Sequence, residues 1–473
     1  MNPTNSMNPI HYISTRGQQP PLTFKDAVMT GLARDGGLLI PDRIPDVTSE
    51  LDLWRNLDYP DLAFRIISLF ADDIPADRLR ALVDGAYASF DTPEVAPVVR
   101  VGPVHVLELF HGPTLAFKDV ALQFLGRLFE DILAERSGRL NILAATSGDT
   151  GSAAICGVRG QKRVNNFVMH PHGRVSPLQE KQMTSVLDPN VFNLAVEGSF
   201  DDCQSIMKTL FNDLPFKDAQ ALGTVNSVNW ARVLSQIVYY FWAAFRVQDE
   251  TSAGHVQFTV PTGNFGDILA GWYAKRMGLP IRRLVLATNE NDILARFFHT
   301  GIYSRGTVVP TVNPSMDIQV ASNFERWLYY KLGSDPAATA AKMAEFRNNN
   351  RMAIPLSRTG TVDSEIVAGT SDTARTLATI RDYHTKHHYL LDPHTAAGVF
   401  VASQYNELED PMICLATAHP AKFAKAIHDA TGEDGLAHHP ILDALADAPT
   451  RYDIVPADPA AVKTYLAARA LPA

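Results

Sequence analysis

From Val98 onward the chain repeats one pattern: a short apolar run, a glycine-rich turn, then apolar residues at helical spacing. Parallel strands need a crossover helix between them, so this repetition is the mark of a parallel α/β sheet. The runs predict strands over 104–109, 140–144, 167–170, 191–196, 256–260, 284–287 and 412–416, most of them leading into a helix. Residues 1–97 differ, mixing turns with two helical patterns, DLAFRIISLF around Phe64 and ADRLRALVDGAYASF around Leu82, which predicts a small helical lead-in. Within it DGGLLIP, residues 35–41, reads as a tight turn entering a strand. The stretch 337–387 is charged and helix-rich, as in a solvent-facing insertion or cover, and ADPAAVKTYLAARALPA predicts a short helix near the end.

A chain of 473 residues is too long for one ordinary core, and at roughly 150 residues per domain it holds about three domains or subdomains. The changes of texture predict a lead-in over 1–97, a larger α/β domain from 98–124 and 216–430, a smaller mobile α/β subdomain over 125–215, and a C-terminal segment over 431–473. A formal net charge of -9 leaves no basic excess to neutralise a nucleic acid or an anionic membrane, so the expected partner is a small molecule. No apolar run approaches the ~20 residues of a membrane span. Cys156, Cys203 and Cys414 are far apart and form no CxxC pair, which suits a reducing cytoplasm. The opening MNPTNSMNPI has neither the apolar core of a signal peptide nor the arginine-rich pattern of a transit peptide, and it carries the same expectation. His170 with His172, and His384 with His387 and His388, lack the carboxylate or cysteine spacing of a metal site, so no catalytic metal is expected.

Four junctions between strand or loop and helix carry the candidate chemistry. In HGPTLAFKDVALQFL, the Gly112-Pro113-Thr114 corner cannot continue a helix, while Ala121, Leu125, Leu128 and Ile132 recur at helical spacing, so Lys118 sits at a helix start. There the positive helix end and the apolar Phe117 and Leu115 disfavour the ammonium form, as an imine-forming lysine requires. In PTGNFGD, a strand runs into Gly263, Asn264, Phe265 and Gly266, with Asp267 able to cap the next helix. Backbone amides that converge beside a helix N-terminus form an anion cradle of phosphate-ester size. In ATSGDTG, Thr146, Ser147, Gly148, Asp149, Thr150 and Gly151 bring hydroxyls, amides and a carboxylate to a strand end, where open α/β sheets bind ligands. In LATAHPAKF, Thr417 ends a strand with a neutral hydroxyl that suits a ring nitrogen, whereas His419 before a proline reads as a turn residue. A poised lysine, a phosphate cradle, a polar turn and a hydroxyl fit one ligand best, a phosphorylated heteroaromatic aldehyde such as pyridoxal 5′-phosphate.

The motifs HGPTLAFKD, ATSGDTGSAA, PLQEKQM, NSVNWARVLSQ, PTGNFGD, ATNENDIL and TAHPAKF, preceded by YISTRG, FKDAV and DGGLLIP, resemble the threonine synthases of the longer bacterial and fungal type from about residue 11 to residue 430. The resemblance implies a fold-type-II pyridoxal phosphate enzyme, similar to the tryptophan synthase β chain, with two open twisted parallel-sheet domains. It implies conversion of O-phosphohomoserine and water to threonine and phosphate. Carried over, Lys118 holds the cofactor covalently with Phe117 beside it, Gly263, Asn264, Phe265, Gly266 and Asp267 surround its phosphate, and Thr417 faces the pyridine nitrogen. Asp149 stands near the cofactor's 3′ oxygen, where two anionic oxygens repel, and the alternative is that it turns toward the loop backbone. For the substrate carboxylate the candidates are Thr146, Ser147 and Thr150. For its phosphate they are Arg174, Ser176 and Lys181, or Asn226, Ser227, Asn229 and Arg232, with the resemblance favouring Asn226 and Arg232.

Rival readings share the cofactor. A phospho-lyase would release 2-oxobutanoate from the same substrate, a serine/threonine dehydratase would leave Arg174, Lys181 and Arg232 without a purpose, and the intact Lys118 with its rich set of donors weighs against a non-catalytic cofactor-binding or regulatory protein. Monomer and homodimer both fit.

Overall fold

The computed structural model describes residues 9–146, 148–358, 360–405 and 409–471. All seven predicted strands form, and they sort into two sheets. In the larger sheet the order is Ile366–Thr370, Ile281–Thr288, Val256–Pro261, Met412–Ala416, Val104–Glu108, Val98–Val101. All neighbours are parallel except the last two, which form a hairpin. Val256–Pro261 and Met412–Ala416 are buried at every position. A parallel strand covered on both faces needs such an unbroken apolar run, which is why these two were plain in the sequence. The half-exposed Val98–Val101 lacks that signal.

The smaller sheet runs Asp453–Pro456, Val191–Glu197, Val164–Pro171, Leu140–Ala145, Leu222–Gly223, parallel throughout. Two of its strands lie beyond residue 215, so the subdomain expected from texture is too narrow at its C-terminal end. The C-terminal segment is part of this lobe: Val455 joins its edge, and Val462 and Leu466 from the helix Pro459–Arg469 pack into one core with Leu194, Val196 and Ile206. The expectation for 337–387 also needs correction. Its helices Pro336–Asn349 and Thr373–His387 are present, but Ile366–Thr370 between them is the edge strand of the large sheet. The IVAGT run lies between charged helices, is broken by Gly369 and Thr370 and is only partly buried, so it lacks the unbroken apolar pattern of the central strands.

The lead-in forms its two helices, Tyr59–Ser68 and Ala76–Tyr87, and DGGLLIP forms the expected turn into the strand Leu39–Pro41. It shares one continuous core with the large sheet, where Tyr59 meets both Tyr87 and Trp242 of the long buried helix Trp230–Thr251. That helix also packs against Lys118–Glu135 and Gly266–Arg276, so three helices that bear site residues rest on one another. No helix among the described residues is long and apolar enough to cross a membrane.

Candidate active site

Lys118 opens the helix Lys118–Glu135, and the corner before it is folded back by Asp119. The Thr114 amide donates to Asp119 Oδ2 at 2.8 Å and its hydroxyl to Oδ1 at 2.7 Å. A side chain at Gly112 would strike Asp119, with a Cβ only 2.4 Å from the aspartate's own, so the corner requires glycine. Burial pushes the Asp119 carboxyl up to about 6 despite these two donors. The loop is then paired with the end of Met412–Ala416: the Phe117 amide donates to the Thr417 carbonyl at 2.9 Å and the His419 amide to the Leu115 carbonyl at 3.1 Å. Thr417 and Lys118, remote in sequence, are thereby neighbours, and the Thr417 hydroxyl makes no hydrogen bond among the described residues.

The Lys118 amine is buried, 3.5 Å from Asp149 Oδ2 and 3.5 Å from Ser315 Oγ, with the Phe117 ring 5.4 Å away. Burial lowers its pKa, Asp149 opposes that, and Lys422 and Arg232 lower it further. The direction matches the expectation, but water exclusion and two neighbouring cations supply it. Asp149 begins the helix Asp149–Val158, which crosses Lys118–Glu135 at glycine contact: a Cβ on Gly126 would lie 1.9 Å from the Gly157 carbonyl oxygen. That close crossing sets how near Asp149 stands to Lys118.

Asp149 does not turn toward the loop backbone. Its Oδ1 lies 2.8 Å from Lys422 Nζ and accepts from Gln179 Nε2 at 3.0 Å, while Oδ2 accepts from Ser315 Oγ at 3.3 Å. Burial alone would raise its pKa, but Lys422 and then Lys118 outweigh this and hold the carboxyl far below the usual carboxylate range. An electrostatic pair won over a loop contact because both lysines are shut from water.

The glycine loop is built for an anion. Phe265 is left-handed at φ 64°, and its ring is buried against Phe298, Phe324 and Trp327, so only its backbone faces the cleft. A Cβ on Gly263 would meet the Ser315 carbonyl oxygen at 2.5 Å, and the Asn264 carbonyl accepts from the Asn323 amide at 3.0 Å. The amides of Gly263, Asn264, Phe265 and Gly266 make no hydrogen bond among the described residues. Asp267 is not the cap. Phe265 holds that position, and the Asp267 carboxylate accepts from Tyr239 and Tyr240 hydroxyls at 2.5 and 2.9 Å, turned into the core.

Of the remaining candidates, Arg232 is drawn in. It is buried, its Nη1 donates to the Val225 carbonyl at 2.9 Å, its Nε has no partner, and it meets no carboxylate among the described residues. Burial pushes this guanidinium down to about 10. Asn226 is exposed just before it, the Ser227 hydroxyl bonds that of Ser322 at 3.0 Å, and Asn229 caps the helix. The Thr146 hydroxyl accepts from the Gly148 and Gly151 amides at 3.0 Å each, which shapes the turn, and Thr150 is half-buried beside it. Ser147 lies outside the described residues. The other basic pair does not converge: Arg174 is exposed, and Lys181 donates to the Leu445 and Ala446 carbonyls. Ser176 caps the helix Pro177–Thr184, which delivers Gln179 to Asp149.

Lys422, Ser315, Gln179 and His394 were missed. Lys422 stood unremarked in TAHPAKF. Ser315 lies on a three-residue 3-10 turn, Pro314–Met316, with no periodicity to mark it. Its amide donates to His394 Nε2 at 3.2 Å, and His394 Nδ1 faces Asp392 Oδ1 at 2.9 Å. The site therefore gathers the buried cations Lys118, Lys422 and Arg232 around Asp149, with the Asp119 carboxyl also under the Lys422 charge, beside a row of unpaired amides. A buried cationic surplus with free amide donors fits a phosphorylated anionic ligand.

Known proteins agree with that chemistry. The family described as pyridoxal-phosphate dependent enzyme matches residues 93–416, with the threonine synthase N terminus over 11–87 and the threonine synthase C-terminal family over 395–466. Threonine synthase of Schizosaccharomyces pombe is 45% identical over 456 residues, 89% of each chain. That of Pseudomonas aeruginosa is 46% identical over 445 residues, 93% of each. The crystal structure of PLP-bound threonine synthase from Brucella melitensis superposes with a TM-score of 0.94 at 45% identity, over 98% of this chain and 99% of that one. With matches that span lead-in, both sheets and the C-terminal segment, this chain belongs to the threonine synthase family of pyridoxal-phosphate-dependent enzymes.

Proposed function

We infer that the chain converts O-phospho-L-homoserine and water to L-threonine and inorganic phosphate, with pyridoxal 5′-phosphate as cofactor and Lys118 as its point of attachment. The observation that carries the residue assignments is the buried excess of cations, Lys118, Lys422 and Arg232 against Asp149, next to the unpaired amides of Gly263–Gly266. Substrate and cofactor each bring a phosphate, and the substrate brings a carboxylate as well.

When bound, the cofactor supplies an electron sink for charge developing on the substrate carbons. The loop amides at Gly263, Asn264, Phe265 and Gly266 hold the cofactor phosphate at a helix N-terminus. Thr417 would offer the ring nitrogen a neutral hydroxyl in place of a charged partner. Phe117 lies beside the lysine stem. Lys118 would hold the cofactor and, as a free amine, would accept the proton from Cα and serve the later transfers at Cβ and Cγ. Its lowered pKa leaves the amine free to accept a proton. The turn shaped by Thr146 receives the α-carboxylate through the Thr150 hydroxyl and the helix-start amides of Asp149 and Thr150, which Thr146 does not engage. Arg232, with Asn226 at the cleft surface, receives the departing phosphate, since a guanidinium with an unused Nε–H is a fork awaiting an oxyanion. Arg174 and Lys181 play no part in this scheme. The reading takes the working unit as a monomer or a homodimer, and three free cysteines suit a reducing cytoplasm.

The test begins with an absorbance spectrum of the purified protein, followed by O-phosphohomoserine addition with threonine, phosphate and 2-oxobutanoate measured together. A visible cofactor band that is lost in Lys118→Ala, with equimolar threonine and phosphate, is the expected result. Phosphate with 2-oxobutanoate would move the reading to a phospho-lyase, and no band in the presence of excess cofactor would end it.

A further inference from the structure

Lys422 has no place in that scheme, yet its surroundings are specific. Its side chain is fully buried in the turn Pro420–Phe423, 2.8 Å from Asp149 Oδ1, and its ammonium donates to the Thr114 carbonyl at 2.8 Å. A lysine at that depth keeps its charge only beside a counter-charge. Asp149 is also the carboxylate nearest Lys118, but at 3.5 Å and through its other oxygen. One carboxylate thus stands between two buried lysines, and the shorter contact belongs to the lysine that carries no cofactor.

We propose that Lys422 is a positioning residue that neutralises Asp149 and so leaves the Lys118 amine free to act as nucleophile and base. Without Lys422, Asp149 would take Lys118 as its partner and hold it as an ammonium. An opposite charge within ~4–6 Å moves a pKa by about one to three units toward the charged form. The other cation facing Lys118, Arg232, forms no ion pair with Asp149 among the described residues. Arg232 comes from the helix Trp230–Thr251, Ser315 from the turn Pro314–Met316 and Asp149 from the helix Asp149–Val158. Of these only Asp149 is acidic, and it is further bounded by Gln179 and His394. Asp119, the residue after Lys118, accepts from Thr114 and is itself under the Lys422 charge. Burial lowers the Lys118 pKa first, Asp149 raises it, and Lys422 lowers it again, in the direction the proposal requires.

The proposal rests on Lys118 as the cofactor lysine, and its test separates the two. The full-length chain, stripped of cofactor, is mixed with pyridoxal phosphate over a pH series, and the rate at which the visible band grows is recorded. Only an unprotonated amine attacks the aldehyde, so the midpoint of this rate profile reports Lys118 directly. The expected result is a midpoint at least about one pH unit higher in Lys422→Met than in the parent. Lys422→Arg retains the parent midpoint, and Lys422→Met combined with Asp149→Asn returns to it. The acid limb of the kcat profile of the reloaded enzymes moves in step. The double variant removes both members of the Lys422–Asp149 pair and leaves neither charge of that pair without its partner, so it supplies a folded comparison, and a raised midpoint in it would overturn the proposal. So would a Lys422→Met midpoint that is unchanged or lower. A band that still forms in Lys118→Ala would instead remove the attachment reading on which the proposal stands.

Discussion

At Gly263 the constraint is a single distance: any Cβ would sit 2.5 Å from the Ser315 carbonyl oxygen, a backbone atom that cannot swing aside. Gly263→Ala must therefore push the loop from the turn Pro314–Met316 and carry its amides out of line. Overpacking of this kind costs about 1–3 kcal/mol, which corresponds to a cofactor affinity weakened roughly tenfold or more. Equilibrium titration with pyridoxal phosphate checks this, and an alanine variant with parental affinity would sink the cradle assignment. That a glycine is needed here was legible, because PTGNFG follows a strand and precedes a helix. What it must avoid was not, since Ser315 comes from a turn remote in sequence. The same division runs through the site. Lys118 was marked by its corner and its helix, whereas Lys422 looked like one more lysine until the bridge between Ala116 and Ala418 brought its turn alongside.

The helix Gly266–Arg276 shows what an element hides. Its existence was plain from periodicity, yet Asp267 was expected as its cap and instead lies in the core. The phase of the helix start depends on the left-handed Phe265, and that conformation is held by the burial of its ring against residues from two other helices. A consequence follows for pH. Burial raises the Asp267 carboxyl from an ordinary 3.8 to about 6, against the opposing pull of the Tyr239 and Tyr240 hydroxyls. Between those values the folded protein holds a proton that the unfolded chain has released, so stability is greatest below the lower value and falls as pH rises through the window. At 1.36 kcal/mol per unit the loss is on the order of 3 kcal/mol. Asp119, also raised to about 6, adds to the slope. Denaturant titrations at pH 4, 5, 6 and 7 should show Asp267→Asn losing its share of the decline, and a variant as steep as the parent would refute the buried-proton account.

For the whole molecule the decisive fact is that the site is assembled from both lobes. Lys118 and Lys422 belong to the large sheet's loops, while Asp149 follows the central part of the small sheet. Parallel α/β order in each lobe was written in the apolar runs, but the membership of the small lobe was not, because its edge strand Asp453–Pro456 is mostly exposed and carries no core pattern. That strand pairs with Val191–Glu197, and the segment around it is strapped down by further bonds: the Arg451 amide to the Thr184 carbonyl at 2.8 Å, Asn165 Nδ2 to the Arg469 carbonyl at 2.9 Å, and the Leu471 amide to Asn141 Oδ1 at 3.0 Å. Removing residues from 452 onward would uncover the Val191–Glu197 edge and take Val455, Val462 and Leu466 out of the small core, with nothing lost from the large sheet. The truncated chain should therefore be cleaved within 140–215 by limited proteolysis far faster than the parent, while its large lobe resists as before. Mass spectrometry of the fragments reads both at once. Cleavage spread evenly over the two lobes would mean that the C-terminal segment supports the entire molecule, and an unchanged pattern would mean that the small sheet does not depend on its last strand.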